Sequence, residues 1–343
     1  MTTPRRSPAP PTRTTTLDAP APGPQRPASP PGEGEGPAPT DEPPPAAPSG
    51  APAPSAGRRT RRGPLPLLRR APGAPPAVVA HRGSSATAPE NTLAAFEVAR
   101  RAGAPWIETD LRRTSDGVAV VLHDEGLDRT TDGAGALSVS SAAEVAALDA
   151  GSWFSPGFSG ARVPALAELL AWAALHEETH LLLELKGHWT PPQADEVAEA
   201  VRAHALAERV VLQSFDPRTV ASCAEVAPDL ALGLLLREGG AVDPADAAAV
   251  AHVVGRLGLS AVNPGADEVA ADPALVARLH DLGVAVWVWT VDDASRWGRL
   301  DAQGVDGVIT NRPERMLGWV EGRASVPAPR QPRSGTTGAL PAP

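Results

Sequence analysis

Four short segments hold the side chains best suited to chemistry on a charged substrate. Ala80-His81-Arg82-Gly83 is the first. His81 titrates near neutrality, Arg82 is a fixed planar cation matched to phosphate oxygens, and Gly83 lets the chain turn away behind them. Pro89-Glu90-Asn91-Thr92 follows and leads into a helical stretch, with Asn91 as a candidate helix cap. In the second segment, Ile107-Glu108-Thr109-Asp110, residues two apart on a strand point the same way, so Glu108 and Asp110 project side by side. Adjacent carboxylates repel unless a proton or cation lies between them; they either face water or bind a hard metal such as Mg²⁺ or Ca²⁺. His123-Asp124 is the third segment and Leu183-Glu184-Leu185-Lys186 the fourth. There Glu184 and Lys186 share one face, while Leu181, Leu183 and Leu185 take the other. Of 31 basic residues, Lys186 alone is lysine, and it offers a compact cation for a phosphate oxygen. Three carboxylates, two imidazoles, a guanidinium and an ammonium suit phosphoryl transfer, where positioning and charge neutralisation dominate.

Such a set works only if the fold brings it together. Strands are predicted at 77–80, 106–112, 118–122, 181–185, 210–212, 230–236, 259–262, 284–289 and 307–309. Helices are predicted at 92–101, 165–176, 193–204, 218–225, 245–255, 273–282 and 294–303. This alternation argues for a parallel sheet flanked by helices. Over so many units it favours a closed TIM (β/α)8 barrel, with an open doubly wound sheet as the alternative. The four segments end predicted strands, and in barrel enzymes those ends face the active site. Nine strands exceed eight barrel positions. The excess falls at 106–122, where Thr114-Ser115-Asp116-Gly117 leaves room only for a turn, so these strands form an antiparallel hairpin. A turn centred between Ser115 and Asp116 pairs position 108 with 123 and sets His123 beside Glu108. Residues 125–163 then read as an insertion with small structure of its own. Its Trp153, Phe154 and Phe158 either serve function or staple the loop to the barrel.

Composition bounds the rest. Residues 1–75 and 323–343 are dense in Pro, Ala, Gly, Ser and Thr and are expected to be disordered tails. The remaining 76–322 match one barrel in size. A net charge of −9 argues against a broad nucleic-acid surface. Arg58, Arg59, Arg61, Arg62, Arg69 and Arg70 cluster ahead of the domain, as a solvated linker or a contact for anionic lipid or nucleic acid. Cys223 is the only cysteine, which excludes an intrachain disulfide and is compatible with a reducing cytoplasm. No apolar signal core and no run of about 20 apolar residues occurs, so neither secretion nor a transmembrane segment is expected, and the localisation expected is cytoplasmic. Oligomeric state is not legible.

Taken together, the motifs closely resemble the glycerophosphodiester phosphodiesterase family. The matching pieces are His81-Arg82-Gly83, Pro89-Glu90-Asn91-Thr92, Glu108-Thr109-Asp110, His123-Asp124 with Leu127-Asp128-Arg129-Thr130-Thr131, and Glu184-Leu185-Lys186. Gln213-Ser214-Phe215, Val288-Trp289-Thr290-Val291 and Gly304 to Pro313 extend the match over about 77–320. The resemblance implies a TIM barrel with an inserted segment, and a divalent metal ion, Ca²⁺ or Mg²⁺, on Glu108, Asp110 and Glu184. It implies His81 and His123 as an acid–base pair, Arg82 and Lys186 on the phosphate, and a small-molecule glycerophosphodiester as substrate. Family members let a glycerol hydroxyl attack phosphorus, release the alcohol, and open the cyclic phosphate with water. Trp289 either packs against the glycerol moiety or is a core residue. Asp292 departs from the asparagine frequent in the family, and an added carboxylate at the mouth is expected to weaken anionic substrate binding. Two other outcomes keep the same residues: a lyase on lysophospholipid-type substrates that stops at the cyclic phosphate, favoured if the insertion's aromatics line an apolar trough, and a non-catalytic phosphodiester-binding barrel.

Overall fold

The structure is a computed structural model that describes residues 68–324. Most of the Pro-rich tails, with Arg58, Arg59, Arg61 and Arg62, lie outside the described residues. The strands are β1 (Ala77–His81), β2 (Trp106–Arg113), β3 (Ala119–Val121), β4 (His180–Leu185), β5 (Val210–Ser214), β6 (Ala231–Leu236), β7 (Ala261–Pro264), β8 (Ala285–Val288) and β9 (Gly307–Thr310). All but β3 run parallel, and β1 pairs with both β9 and β2, closing the sheet into an eight-stranded barrel. The open-sheet alternative is thereby excluded, and β3 stands outside the ring as the antiparallel partner of the end of β2. The helices are α1 (Leu93–Arg101), α2 (Ala142–Ala146), α3 (Leu166–Ala174), α4 (Pro191–Ala203), α5 (Pro217–Val226), α6 (Ala247–Leu257), α7 (Ala266–Ala271), α8 (Leu275–Asp281), α9 (Ala294–Gln303) and α10 (Pro313–Ala324). Among the described residues no helix is long and apolar enough to cross a membrane.

The period-2 alternation of the strands builds the barrel in layers. Outward-facing residues such as Val78, Ile107, Leu181, Leu183 and Leu185 join the helices in one large apolar cluster. Inside, Val79, Trp106, Leu182, Val211, Ala231, Ala261, Trp287 and Ile309 form a second, separate cluster. Two residues further along each of those strands come His81, Glu108, Glu184, Gln213, Gly233, Asn263, Trp289 and Asn311. The same side of the pleat therefore turns from apolar to polar in one step toward the C-terminal mouth.

Four expectations need correction. First, the fold starts before residue 76. Leu68 is buried in the inner apolar cluster, Trp287 Nε1 donates to the Leu68 carbonyl at 3.0 Å, and Arg70 pairs with Asp301 at 2.5 Å. A single plugging leucine has no periodicity to betray it, and Arg70, grouped with the linker cations by sequence, is committed to the barrel. Second, the hairpin register is one residue off. Leu111 pairs with Val121 and Arg113 with Ala119, so 108 is not opposite 123. The cause is Gly117, whose φ of 86° makes a three-residue loop centred on Asp116. The ladder ends where Leu122 N–H donates to Asp110 O, and the following loop, not strand pairing, carries His123. Third, Asn91 is not the cap of α1; Thr92 is, accepting from Ala95 N–H at 3.2 Å. Fourth, α7 and α10 were not expected. α7 ends two residues before Pro273 and is too short for a periodic signal, while Gly318 and Gly322 dilute the helical pattern of α10.

The insertion has its own core of Leu127, Leu137, Val145, Ala150 and Val163, joined to Val120 and Leu122 of the hairpin. Trp153, Phe154 and Phe158 stack edge-on at 5.7 and 5.6 Å, and Trp153 Nε1 donates to the Ala150 carbonyl. These contacts tie the loop to itself, where a staple to the barrel was one expectation.

Candidate active site

The mouth of the barrel holds a cavity of about 120 Å³. His81, Arg82, Glu108, His123, Glu184, Lys186 and Trp289 all line it, together with Gln213 and Phe215. Asp110 is packed against two of them: Arg82 Nε is 3.1 Å from its Oδ2 and Lys186 Nζ 3.0 Å from its Oδ1. All eight side chains singled out by the sequence are thus brought to one place.

Backbone strain positions the first of them. Arg82 and Asn91 both adopt left-handed φ values, 55° and 59°, rare for non-glycine residues and costing about 1–3 kcal/mol each. Arg82 N–H donates to the Glu108 carbonyl at 2.8 Å, and Asn91 N–H to the Arg82 carbonyl at 3.1 Å, which holds the turn over β2. Gly83, with φ of 79°, completes the turn, and a Cβ there would lie 2.6 Å from the Ala95 backbone carbon. Gly83→Ala is expected to cost about 2–3 kcal/mol, read as a lower urea midpoint with unchanged slope.

Glu108, Asp110 and Glu184 are buried and offer oxygens that all lie within 4.8 Å of one another. Burial, then the charges of Asp110 and Glu184, push the Glu108 carboxyl well above the usual range. Burial and Asp110 push Glu184 up to about 7. Asp110 is held low although burial opposes it, because Lys186 and Arg82 flank it. Asp110 Oδ1 is buried without a well-formed hydrogen bond. Three oxygen donors that ionise together only around added positive charge fit a hard divalent cation.

The two imidazoles are anchored by Nδ1. His123 Nδ1 is 2.6 Å from Asp124 Oδ1, and His81 Nδ1 is 2.7 Å from Asn311 Oδ1. His81 Nε2 is left facing Glu108 Oε2 at 3.9 Å. Burial and the neighbouring Arg82 lower His81 to about 4; burial also lowers His123, against the pull of Asp110.

Several supporting residues take roles in the site that their sequence positions did not assign. Asn91 donates Nδ2–H to Asp110 Oδ2 at 2.8 Å and accepts from Thr109 Oγ1 at 2.7 Å, so the residue taken for a cap orients a carboxylate. Glu90 accepts from Arg82 Nη1 at 2.8 Å and, at 2.9 and 2.8 Å, from both terminal nitrogens of Arg129. Arg129 also grips Asp124 at 2.5 and 3.1 Å, tying the insertion to His123. Asn263 Nδ2–H donates to Gln213 Oε1 at 2.7 Å across the side-chain-free Gly233. Asp292 does not face the cavity as a loose charge; it accepts three hydrogen bonds from Thr310 and Asn311. The motif matches flagged Glu90, Asn91, Arg129, Gln213 and Asn311, but sequence gave no geometry from which to assign them.

A closed β/α barrel with carboxylates, imidazoles and cations at its C-terminal mouth defines a class, the barrel enzymes that act on phosphate esters. The chain belongs to the glycerophosphoryl diester phosphodiesterase family, whose model matches residues 81–315. It is 35% identical over 246 residues to a glycerophosphodiester phosphodiesterase of Caldanaerobacter subterraneus subsp. tengcongensis, covering 71% of this chain and 97% of that one. It is 32% identical over 244 residues to the putative glycerophosphodiester phosphodiesterase YhdW of Bacillus subtilis, covering 70% and 96%. Among solved structures, an Oleispira antarctica phosphodiesterase in complex with the product sn-glycerol-3-phosphate superposes with a TM-score of 0.64 at 29% identity, covering 72% and 97%.

Proposed function

We propose that the protein hydrolyses glycerophosphodiesters to glycerol 3-phosphate and an alcohol, with His81 and His123 as the acid–base pair. The observation that carries this reading is the convergence of both imidazoles and all three carboxylates on one small cavity. A purely binding barrel has no need for two anchored imidazoles.

Glu108, Asp110 and Glu184 would hold the cation, Ca²⁺ or Mg²⁺ by donor type. When bound, a divalent ion polarises a phosphoryl oxygen and offsets its charge. The protein's own groups do the remainder. Lys186 lies at ion-pair distance from Asp110 and Glu184, and Arg82 sits beside Asp110 while donating Nη1–H to Glu90. Each has a donor left for a phosphate oxygen. Trp289 is held by Nε1 donating to the Asn263 carbonyl and by its edge contact with Phe215, presenting apolar surface for the glycerol carbons. One imidazole Nε2 takes the proton of the attacking hydroxyl as its oxygen bonds to phosphorus, and the other gives a proton to the departing alkoxide. Water opens the cyclic phosphate with the roles reversed.

The lyase outcome lacks its supporting feature, since the insertion's aromatics are absent from the cavity lining. Buried Cys223 is compatible with a reducing cytoplasm. Purified protein with glycerophosphocholine or glycerophosphoethanolamine is expected to release glycerol 3-phosphate when Mg²⁺ or Ca²⁺ is present and to stop when the ion is chelated. Phosphorus NMR would identify the product. Absence of glycerol 3-phosphate from every headgroup variant at saturating metal would remove the reading.

A further inference from the structure

We propose that Asp292 is a positioning residue that fixes the tautomer of His81 through the side-chain amide of Asn311; the catalytic half of this inference rests on His81 acting as proposed above. Asp292 lies in the loop after β8, and Asn311 immediately follows β9. Asp292 Oδ1 accepts from Thr310 Oγ1 and from Asn311 N–H, each at 2.8 Å. Asp292 Oδ2 accepts from Asn311 Nδ2 at 2.7 Å. The opposite end of that amide, Asn311 Oδ1, is 2.7 Å from His81 Nδ1 and accepts from Ser85 Oγ at 2.9 Å.

The polarity of the chain follows from donor chemistry. An ionised carboxylate only accepts, so the Asn311 NH₂ must face Asp292 and the carbonyl oxygen must face His81. A carbonyl oxygen also only accepts, so the ring nitrogen opposite must carry the proton. His81 is thereby held as the Nδ1–H tautomer, with the lone pair on Nε2, the nitrogen beside Glu108 in the cavity. Without the carboxylate, Asn311 could turn its amide over and offer Nδ2–H to the ring. The proton would then move to Nε2, and the base facing the cavity would be lost.

The test is ¹⁵N NMR of the histidine rings in the full-length protein at pH 7.5, with and without Mg²⁺, using His81→Gln to assign the His81 signals. The wild type is expected to show a protonated Nδ1 and a bare Nε2. Asp292→Asn keeps the two bonds at Oδ1 and reverses only the third, setting NH₂ against NH₂. The expected result is a switch of His81 to the Nε2–H form and a loss of about 10²-fold or more in kcat with KM within about twofold, since a wrong-tautomer imidazole can cost up to about 10⁴-fold. Asp292→Asn with Asn311→Asp exchanges donor for acceptor at unchanged net charge. It is expected to return the Nδ1–H signature and most of the turnover. A bare Nδ1 in the wild type overturns the proposal and requires no variant to fold. So does an unswitched tautomer in Asp292→Asn, or a switched one with undiminished kcat. Full activity in His81→Gln would instead refute the role of His81, while the ring signals still report on Asp292.

Discussion

Alanine at His81 or at His123 is expected to lower kcat by about 10²–10⁴-fold while shifting the melting temperature little. The two substitutions remove proton carriers whose surroundings differ. His123 leans on Asp124, a carboxylate that Arg129 keeps well below its usual range, so a positive charge forming on that ring is offset at once. His81 leans on a neutral amide and sits beside Arg82, which together with burial keeps it uncharged near neutrality. Neither side chain carries much of the core. Removing His123 leaves Asp124 gripped by Arg129, and removing His81 leaves Asn311 bonded to Ser85 and Asp292. Activity and stability should therefore separate, and steady-state rates alongside thermal melts of each variant measure both. Wild-type kcat in the two variants would end the acid–base assignment whatever the fold.

Much of this site was legible because a strand has a period of two. Glu108 with Asp110, and Glu184 with Lys186, were placed on shared faces from spacing alone, and the barrel keeps them there. The closed ring was legible as well, since alternating strands and helices over this length leave few other arrangements. Where reading failed, the cause was a device with no periodic signature. The hairpin register turned on half a residue at Gly117. Leu68 plugs the barrel from a stretch with no apolar pattern, and Thr92 caps α1 beside an equally plausible Asn91. The residues behind the site were hidden for another reason. Asp292, Asn311 and Arg129 act on groups that lie from 5 to 230 residues away in sequence, and no periodic pattern links them.

Glu184→Gln is the variant in which function and stability should move in opposite directions. Removing one of three buried carboxylates takes away an oxygen donor and part of the charge that would hold a divalent ion, so turnover should drop by about 10²–10³-fold, the equivalent of several kcal/mol of charge stabilisation. Stability without metal should change the other way. The ordinary value for this carboxyl is 4.5 and the folded value about 7, so the folded chain holds the proton more tightly than the unfolded one. Stability contributed by that proton is present below about 4.5 and is lost as pH rises through 7. Glutamine carries no such charge, so in metal-free protein at pH 8 the variant should melt several degrees higher than wild type, at roughly 2–4 °C per kcal/mol. By pH 4.5 this advantage should have disappeared. His81 titrates with the opposite sign, its depressed value adding stability as pH rises toward 6.5, but that contribution is common to both proteins and cancels when they are compared at each pH. Adding Mg²⁺ or Ca²⁺ should raise the wild-type melting temperature at pH 8 and move the variant far less. A variant that melts lower than wild type at pH 8 without metal, yet responds fully to the ion, would mean that Glu184 is a structural partner of Lys186 and not part of a metal site.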